Sequence, residues 1–314
     1  MSLMAIELRD VVKRYTDRDG TPVAAVDRLT LTVPDGVCLG LLGPNGAGKS
    51  TTMRLLTAQS RADEGTITVL GHEIPREAKQ ARALMGVVPQ IDNLDEELTV
   101  RQNLEMFAHL YRVPRAGLRE AVDRALRVAQ LTGRAGTRVV KLSGGMRRRL
   151  LVARGLVHEP RLVLLDEPTV GLDPQVRADL WGLIAGLRSR GVTVLMSTHY
   201  IDEAERLADT CARMSHGRVI AGGTPADLIA DHAGDRVEEH EGSPDRLAEV
   251  EGLARRAGLP TRRTGPTVSV LRAERIPPSL ADTLASTVTN GHRVVRRAAN
   301  LEDVFVMLTG ETVD

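Results

Sequence analysis

The feature that most constrains this chain is the junction spanning residues 37–58. Val37 to Leu42 is a continuous apolar run of the kind that forms a strand buried on both faces. It enters Gly43-Pro44-Asn45-Gly46-Ala47-Gly48-Lys49-Ser50, and Lys49 to Ala58 then reads as a helix. Strand, glycine-rich loop and helix in that order fit the pattern GxxxxGK[ST]. Glycines let successive backbone N–H groups turn inward as an anion-binding nest, and the helix adds the positive end of its dipole. Such a loop suits a polyphosphate. Lys49 is expected to reach the β- and γ-phosphates and Ser50 to offer its hydroxyl to Mg²⁺, so that Gly43 to Thr51 wraps the phosphates of a nucleotide such as ATP. The lysine carries weight because the chain has only four, Lys13, Lys49, Lys79 and Lys141, among 42 basic residues.

A second strand signal ends in acid. Leu162-Val163-Leu164-Leu165-Asp166-Glu167 is an apolar run closed by two carboxylates. An apolar strand holds such acids rigidly, which suits Asp166 to act on Mg²⁺ through water and Glu167 to polarise an attacking water as general base. Between the two motifs lies Leu142-Ser143-Gly144-Gly145-Met146, followed by Arg147-Arg148-Arg149.

The rest of the chain supplies a frame for these motifs. Ala5 to Val12, Val23 to Val33 and Thr66 to Leu70 alternate apolar and polar residues between Gly, Pro and Asp turns, as antiparallel strands do. From Leu98 to about Leu131 the period becomes helical, with a capping box at Thr99 to Gln102 and Pro114 separating two helices. Strands return at Arg161 to Leu165 and Val192 to Ser197, around a helix with Asp173 as N-cap and Pro174 in its first position. This alternation implies a parallel sheet covered by helices. The Asp-, Glu-, His- and Gly-rich stretch at 231–244 reads as a linker. It divides a domain at 4–230 from a small α/β domain at 245–314. In the latter, Thr267 to Leu271 and Arg293 to Arg297 are strand-like, and Ser279 to Thr289 and Leu301 to Leu308 helix-like. Ser279 with Asp282 and Asn300 with Asp303 have N-cap spacing.

Composition narrows the function classes. The chain has 314 residues, 42% apolar and 26% charged, with a formal net charge of +1. That balance argues against nucleic acid as a partner, since phosphate-backbone binders usually carry a basic excess. Cys38 and Cys211 form no CxxC pair, and they read as buried thiols in a reducing compartment. No apolar run approaches the roughly 18 to 20 residues that cross a bilayer, and Met1-Ser2-Leu3-Met4 lacks the features of a signal peptide. The expected location is the cytoplasm, so any membrane role requires another polypeptide.

Motifs in this order resemble the ABC ATPases. The resemblance covers roughly Met4 to Leu228 and implies an α/β P-loop NTPase fold. Its parts would be an N-terminal antiparallel β subdomain, a RecA-like parallel core, a helical subdomain at about 91–158 and, in this chain, the small α/β C-terminal domain. Leu142 to Met146 matches the family signature LSGGQ with Met in place of Gln. The resemblance implies that Ser143, Gly144 and Gly145 bind the γ-phosphate held by the opposite subunit, and therefore a homodimer. It further implies that Gln90 contacts Mg²⁺ and senses the membrane partner, and that Asp173 lies in the loop at the dimer interface. In the same way it gives His199 the γ-phosphate and Tyr15 a place stacked on adenine.

The match is finer still in two places. Gly86 to Asp95 is similar to nodulation-type exporter ATPases, and Asn300-Leu301-Glu302-Asp303-Val304-Phe305 to daunorubicin-type drug exporter ATPases. Both are ABC-2 exporters, which implies a separate membrane permease docking on the helical segment from Ile91 to Leu131. Rival ABC classes fit less well. Chromosome-maintenance proteins insert a long coiled coil, ribosome-acting factors carry two cassettes, and a non-hydrolysing regulator would lack Glu167 or His199. An importer ATPase shares every motif, and only Met146 and the C-terminal ending argue for export.

Overall fold

The computed structural model describes residues 3–17, 19–281 and 293–309, with the side chains of 306 and 309 left aside. The chain divides into two compact units between Gly222 and Gly223.

In the first unit, β1 (Met4–Thr16), β2 (Pro22–Pro34), β4 (Glu64–Val69) and β5 (His72–Ile74) form an antiparallel sheet in the order β2-β1-β4-β5. A six-stranded sheet holds β3 (Cys38–Leu42), β6 (Met85–Val88), β7 (Leu162–Asp166), β8 (Thr193–Thr198), β9 (Thr210–Ser215) and β10 (Arg218–Gly223), in the order β10-β9-β3-β8-β7-β6. Its centre is parallel, with β3 between β8 and β9 and β7 between β6 and β8.

The unbroken apolar character of these strands follows from burial on both faces. Leu39 and Leu41 of β3, Leu162 and Leu164 of β7 and Leu195 of β8 pack into the core shared with the antiparallel sheet and α1 (Lys49–Leu56). Their alternates Cys38, Val163, Leu165, Val194 and Met196 face the opposite core. That core is built with α3 (Val100–Leu110), α4 (Arg115–Val128), α5 (Gly144–Gly155) and α6 (Pro174–Ser189). α2 (Ala78–Ala83) adds Ala78 and Ala81 to the first core, and α7 (Ile201–Leu207) adds Leu207 to the second. Thr99 and Gln102 close both halves of the capping box of α3, and Pro114 stands as the N-cap of α4.

The second unit contains α8 (Pro225–His232), β11 (Arg236–Glu241), α9 (Pro244–Arg256), β12 (Thr261–Thr264), β13 (Thr267–Leu271), β14 (Arg293–Ala298) and α10 (Leu301–Thr309). Its sheet runs β12-β13-β11-β14, all antiparallel. Residues 231–244 are therefore not a linker. They supply the strand β11, which lies inside that sheet, and the unit begins at Gly223 rather than at 245. The polar composition that suggested a linker has a tertiary origin: Glu238 and Glu239 receive Arg296 and Arg297 from β14 at 2.7 and 2.8 Å, and His240 is fully buried. The helix expected at Ser279 to Thr289 lies outside the described residues from position 282 onward, as does its capping partner Asp282. Among the described residues no helix is long and apolar enough to cross a membrane.

Candidate functional site

β3 delivers the glycine-rich loop at its C-terminal end, where α1 begins. Three glycines explain why the loop has its composition. A Cβ at Gly43 would stand 2.5 Å from the Met214 carbonyl oxygen, and one at Gly48 would stand 2.3 Å from that of Ala25. Gly48 and Gly46 also adopt φ of +103° and +82°, a region that side chains disfavour. Asn45 and Gly46 form the exposed tip, Pro44 and Ser50 are half-buried, and Ala47 is buried with its carbonyl accepting from Gly217 N at 3.0 Å. Thr51, in the first turn of α1, is half-buried.

Lys49 is only 4% exposed, and its ammonium lies inside the curl of the loop. It donates to the carbonyls of Gly43 at 2.6 Å and Pro44 at 3.1 Å, and stands 3.4 Å from a Glu167 oxygen. Burial pulls its pKa down, while Glu167 opposes that shift. A buried cation curled back onto carbonyls at the mouth of a nest is poised to exchange those partners for anionic oxygens.

β7 carries the acids to the same end of the sheet. Asp166 accepts from Ser50 Oγ at 3.3 Å and from Ser197 Oγ at 2.5 Å. Glu167, 7% exposed, follows with φ of +45°, an unusual conformation for a side-chain-bearing residue, held by bonds from its N–H to Ser197 Oγ (3.0 Å) and Ser197 O (3.1 Å). Its carboxylate collects three neighbours from separate elements: Lys49, Gln90 Nε2 at 3.1 Å from the segment after β6, and His199 Nδ1 at 3.5 Å from the turn after β8. Lys49, Ser50, Gln90, Asp166, Glu167 and His199 thus converge although they span residues 49 to 199. Ser197, at the end of the apolar strand β8, was not singled out from sequence. Its only signal there is a hydroxyl two positions before His199.

The other sequence candidates stand apart. Tyr15 on β1 is 40% exposed, with its hydroxyl 3.3 Å from Ser60 Oγ and Lys13 over its ring. Asp173 caps α6 by accepting from Val176 N at 3.0 Å. Ser143 caps α5 by accepting from Met146 N at 3.3 Å, and Gly144 is exposed. A Cβ on Gly145 would stand 2.6 Å from the Val176 side chain. Among the described residues, no hydrogen bond or ion pair links Ser143, Gly144 or Gly145 to the loop at 43–51.

The donor set fits Mg²⁺ with a nucleotide. Ser50 Oγ and Asp166, in contact with each other, are hard oxygens, and Gln90, whose Nε2 reaches Glu167 next to Asp166, carries an amide oxygen of the same kind. Mg²⁺ takes one or two carboxylates and leaves its other positions to phosphates and water. Among the described residues no cluster of three His, Cys, Asp or Glu side chains offers a cage for a softer metal. A second surface feature is a groove of about 750 Å³ lined by Asn93, Leu94, Asp95, Met106, Phe107, His109 and Leu110. Within that lining Leu110 is 69% exposed, and Ile91, two positions before Asn93 in sequence, is 79% exposed.

Residues 26–170 match the family model described as ABC transporter. Over 98% of its length the chain is 42% identical to the Nod factor export ATP-binding protein I of Sinorhizobium fredii, covering 86% of that protein. It is 44% identical to the protein of the same name from Paraburkholderia xenovorans, over 98% of this chain and 97% of that one. Among solved structures, an ATP-binding subunit of an ABC transporter superposes with a TM-score of 0.65 at 29% identity, over 72% of this chain and 92% of that one. A dimeric ATP-binding cassette in a post-hydrolysis state bound to ADP and Pi superposes with a TM-score of 0.63 at 26% identity, over 70% and 98%. A glycine nest with a buried lysine, carboxylates at the end of a parallel strand and relatives matched along the whole chain agree: the protein belongs to the ABC transporter family of ATP-binding subunits, ATPases that bind ATP with Mg²⁺.

Proposed function

We propose that the chain is the ATPase subunit of an ABC-2 type exporter, working as a homodimer at the inner face of the cell membrane on a separate permease. Cassettes of this family dimerise and act with a membrane permease. Export as the direction is supported by relatives named for Nod factor export that match both compact units. The cargo is a matter for the permease. The groove between Asn93 and Leu110 mixes apolar Leu94, Met106, Phe107 and Leu110 with polar Asn93, Asp95 and His109, a lining that suits a cytoplasmic segment of that partner.

The observation that carries the hydrolytic reading is the convergence of Lys49, Gln90 and His199 on Glu167. In our reading Gly43 to Thr51 cradles the phosphates and Lys49 releases its loop carbonyls to meet the β- and γ-phosphates. Tyr15 stacks on the adenine. Ser50, Asp166 and Gln90 hold Mg²⁺, which when bound neutralises phosphate charge. Glu167 takes the proton of the attacking water, and His199 holds the γ-phosphate. Ser143, Gly144 and Gly145 of the partner chain seal the site, with Asp173 at the same interface, because within one chain they do not join the phosphate loop. ATP favours the closed pair, and loss of phosphate removes that preference.

Glu167→Gln tests this. The variant is expected to lose turnover by at least about a hundredfold, the scale of a general base, while still binding ATP. Phosphate release at the wild-type rate would remove Glu167 from the role.

A further inference from the structure

Helix α5 starts at the signature serine and carries three arginines in sequence, of which the middle one has unusual partners. All five N–H groups of Arg148 go to backbone carbonyls. Nε donates to Pro168 O at 2.6 Å. Nη1 donates to Pro89 O at 2.9 Å and Gln90 O at 3.2 Å, and Nη2 to Asp166 O at 3.3 Å and Glu167 O at 3.1 Å. Among the described residues no carboxylate lies within ion-pair distance of this guanidinium. Burial lowers its pKa, with Asp92, Asp166 and Glu203 opposing at longer range. Its neighbours behave differently: Arg147 pairs with Asp92 and Glu96, and Arg149 with Asp179.

A cation held in a half-buried place without an ion-pair partner, with every donor used, calls for an explanation in what its acceptors do. They are two loops. One carries Gln90 and the other Glu167, and the two side chains meet at 3.1 Å. Glu167 sits in a left-handed turn directly after β7, so the direction of its carboxylate depends on how that turn is held. The planar guanidinium spans both loops at once, and neither lysine nor glutamine can place five donors in one plane.

We propose that Arg148 is a positioning residue for ATP hydrolysis: from the signature helix it locks the 89–90 backbone to the 166–168 turn, and so sets Gln90 and Glu167 in register. The inference rests on the reading of Glu167 as the base. It adds that a displacement of α5 is felt at that base through one side chain, which ties the signature loop to the carboxylate within a single subunit.

Arg148→Lys and Arg148→Gln in the full chain test this, measured beside Glu167→Gln. The expected result is a fall in kcat of about tenfold or more, the scale of a misplaced catalytic group, with KM for ATP close to wild type and the chain still folded at the assay temperature, although the thermal midpoint falls as the carbonyls lose their donors. A second readout separates positioning from mere support. Adding Gln90→Ala to Arg148→Lys should cost little beyond the larger single effect, because both act on the same register. A kcat within about twofold of wild type, beside an inactive Glu167→Gln, overturns the role of Arg148 alone. So does a fall in kcat that tracks loss of ATP binding and of the folded state, or failure of both variants to fold. Wild-type turnover by Glu167→Gln overturns the base assignment instead.

Discussion

At the scale of single residues, the site is organised by what burial does to charge. Lys49 and Glu167 are both almost wholly buried and lie 3.4 Å apart, an arrangement that is costly unless each is paired and hydrogen-bonded. The loop carbonyls of Gly43 and Pro44 complete the lysine's needs. Anionic oxygens are stronger acceptors than carbonyls, which is why the ammonium should exchange one set for the other when a nucleotide arrives. Lys49→Ala is accordingly expected to weaken ATP binding by about 10- to 100-fold, the equivalent of one charge-assisted hydrogen bond of about 1.5–3 kcal/mol. Equilibrium binding of a fluorescent ATP analogue measures it, and an unchanged Kd would contradict the phosphate-loop reading.

At the scale of elements, the ending Asn300 to Phe305 shows how a stretch that looks like a family signature can be a structural device. Asn300 and Asp303 exchange capping bonds at the start of α10: Asp303 N donates to Asn300 Oδ1 at 3.1 Å, and Asn300 N donates to Asp303 Oδ2 at 3.1 Å. Asp303 is fully buried and receives Arg297 of β14 through Nη1 at 2.6 Å and Nη2 at 2.8 Å, with Arg262 of β12 at 3.5 Å. Hydrogen bonds to Asp303 push the Arg297 pKa up further. Val304 and Phe305 beside it are fully buried. One carboxylate thus joins a helix start to both edge strands of the small sheet. Asp303→Ala removes the arginine contacts to that carboxylate and opens the cap, while Arg297 keeps Glu239 and Arg262 keeps Glu302, so the C-terminal unit should lose about 1–3 kcal/mol of stability. Chemical denaturation that resolves the two units reads this directly, and a midpoint unchanged within error would show that the network contributes little.

At the scale of the whole molecule, the signature residues and the phosphate loop belong to one chain without being joined in it. Ser143 is taken up in capping α5, and Gly144 next to it lies open. A second copy completes the site in our proposal. Ser143→Arg, introduced into Glu167→Gln, is therefore expected to abolish the ATP-dependent dimer seen by sedimentation or light scattering, with ATP affinity of the single chain held within a few-fold. A dimer that persists would place the contact elsewhere.

Much of the arrangement was legible in the order of residues. The runs Val37 to Leu42 and Leu162 to Leu165 read as buried strands, and glycines at positions 43 and 48 stand where a Cβ would collide with backbone. Capping at Thr99, Asp173 and Asn300 was readable because a cap is a local bond over three residues. Tertiary structure decided the rest, because it depends on partners far away in sequence. Ser197 meets Asp166 and Glu167 across neighbouring parallel strands, and Arg148 reaches back to residues 89–90 and forward to 166–168. Residues 231–244 looked like a linker because their charges are invisible as core until Arg296 and Arg297 stand opposite them. Local bonds and periodicity are properties of a segment, whereas the pairing of a buried charge is a property of the folded chain alone.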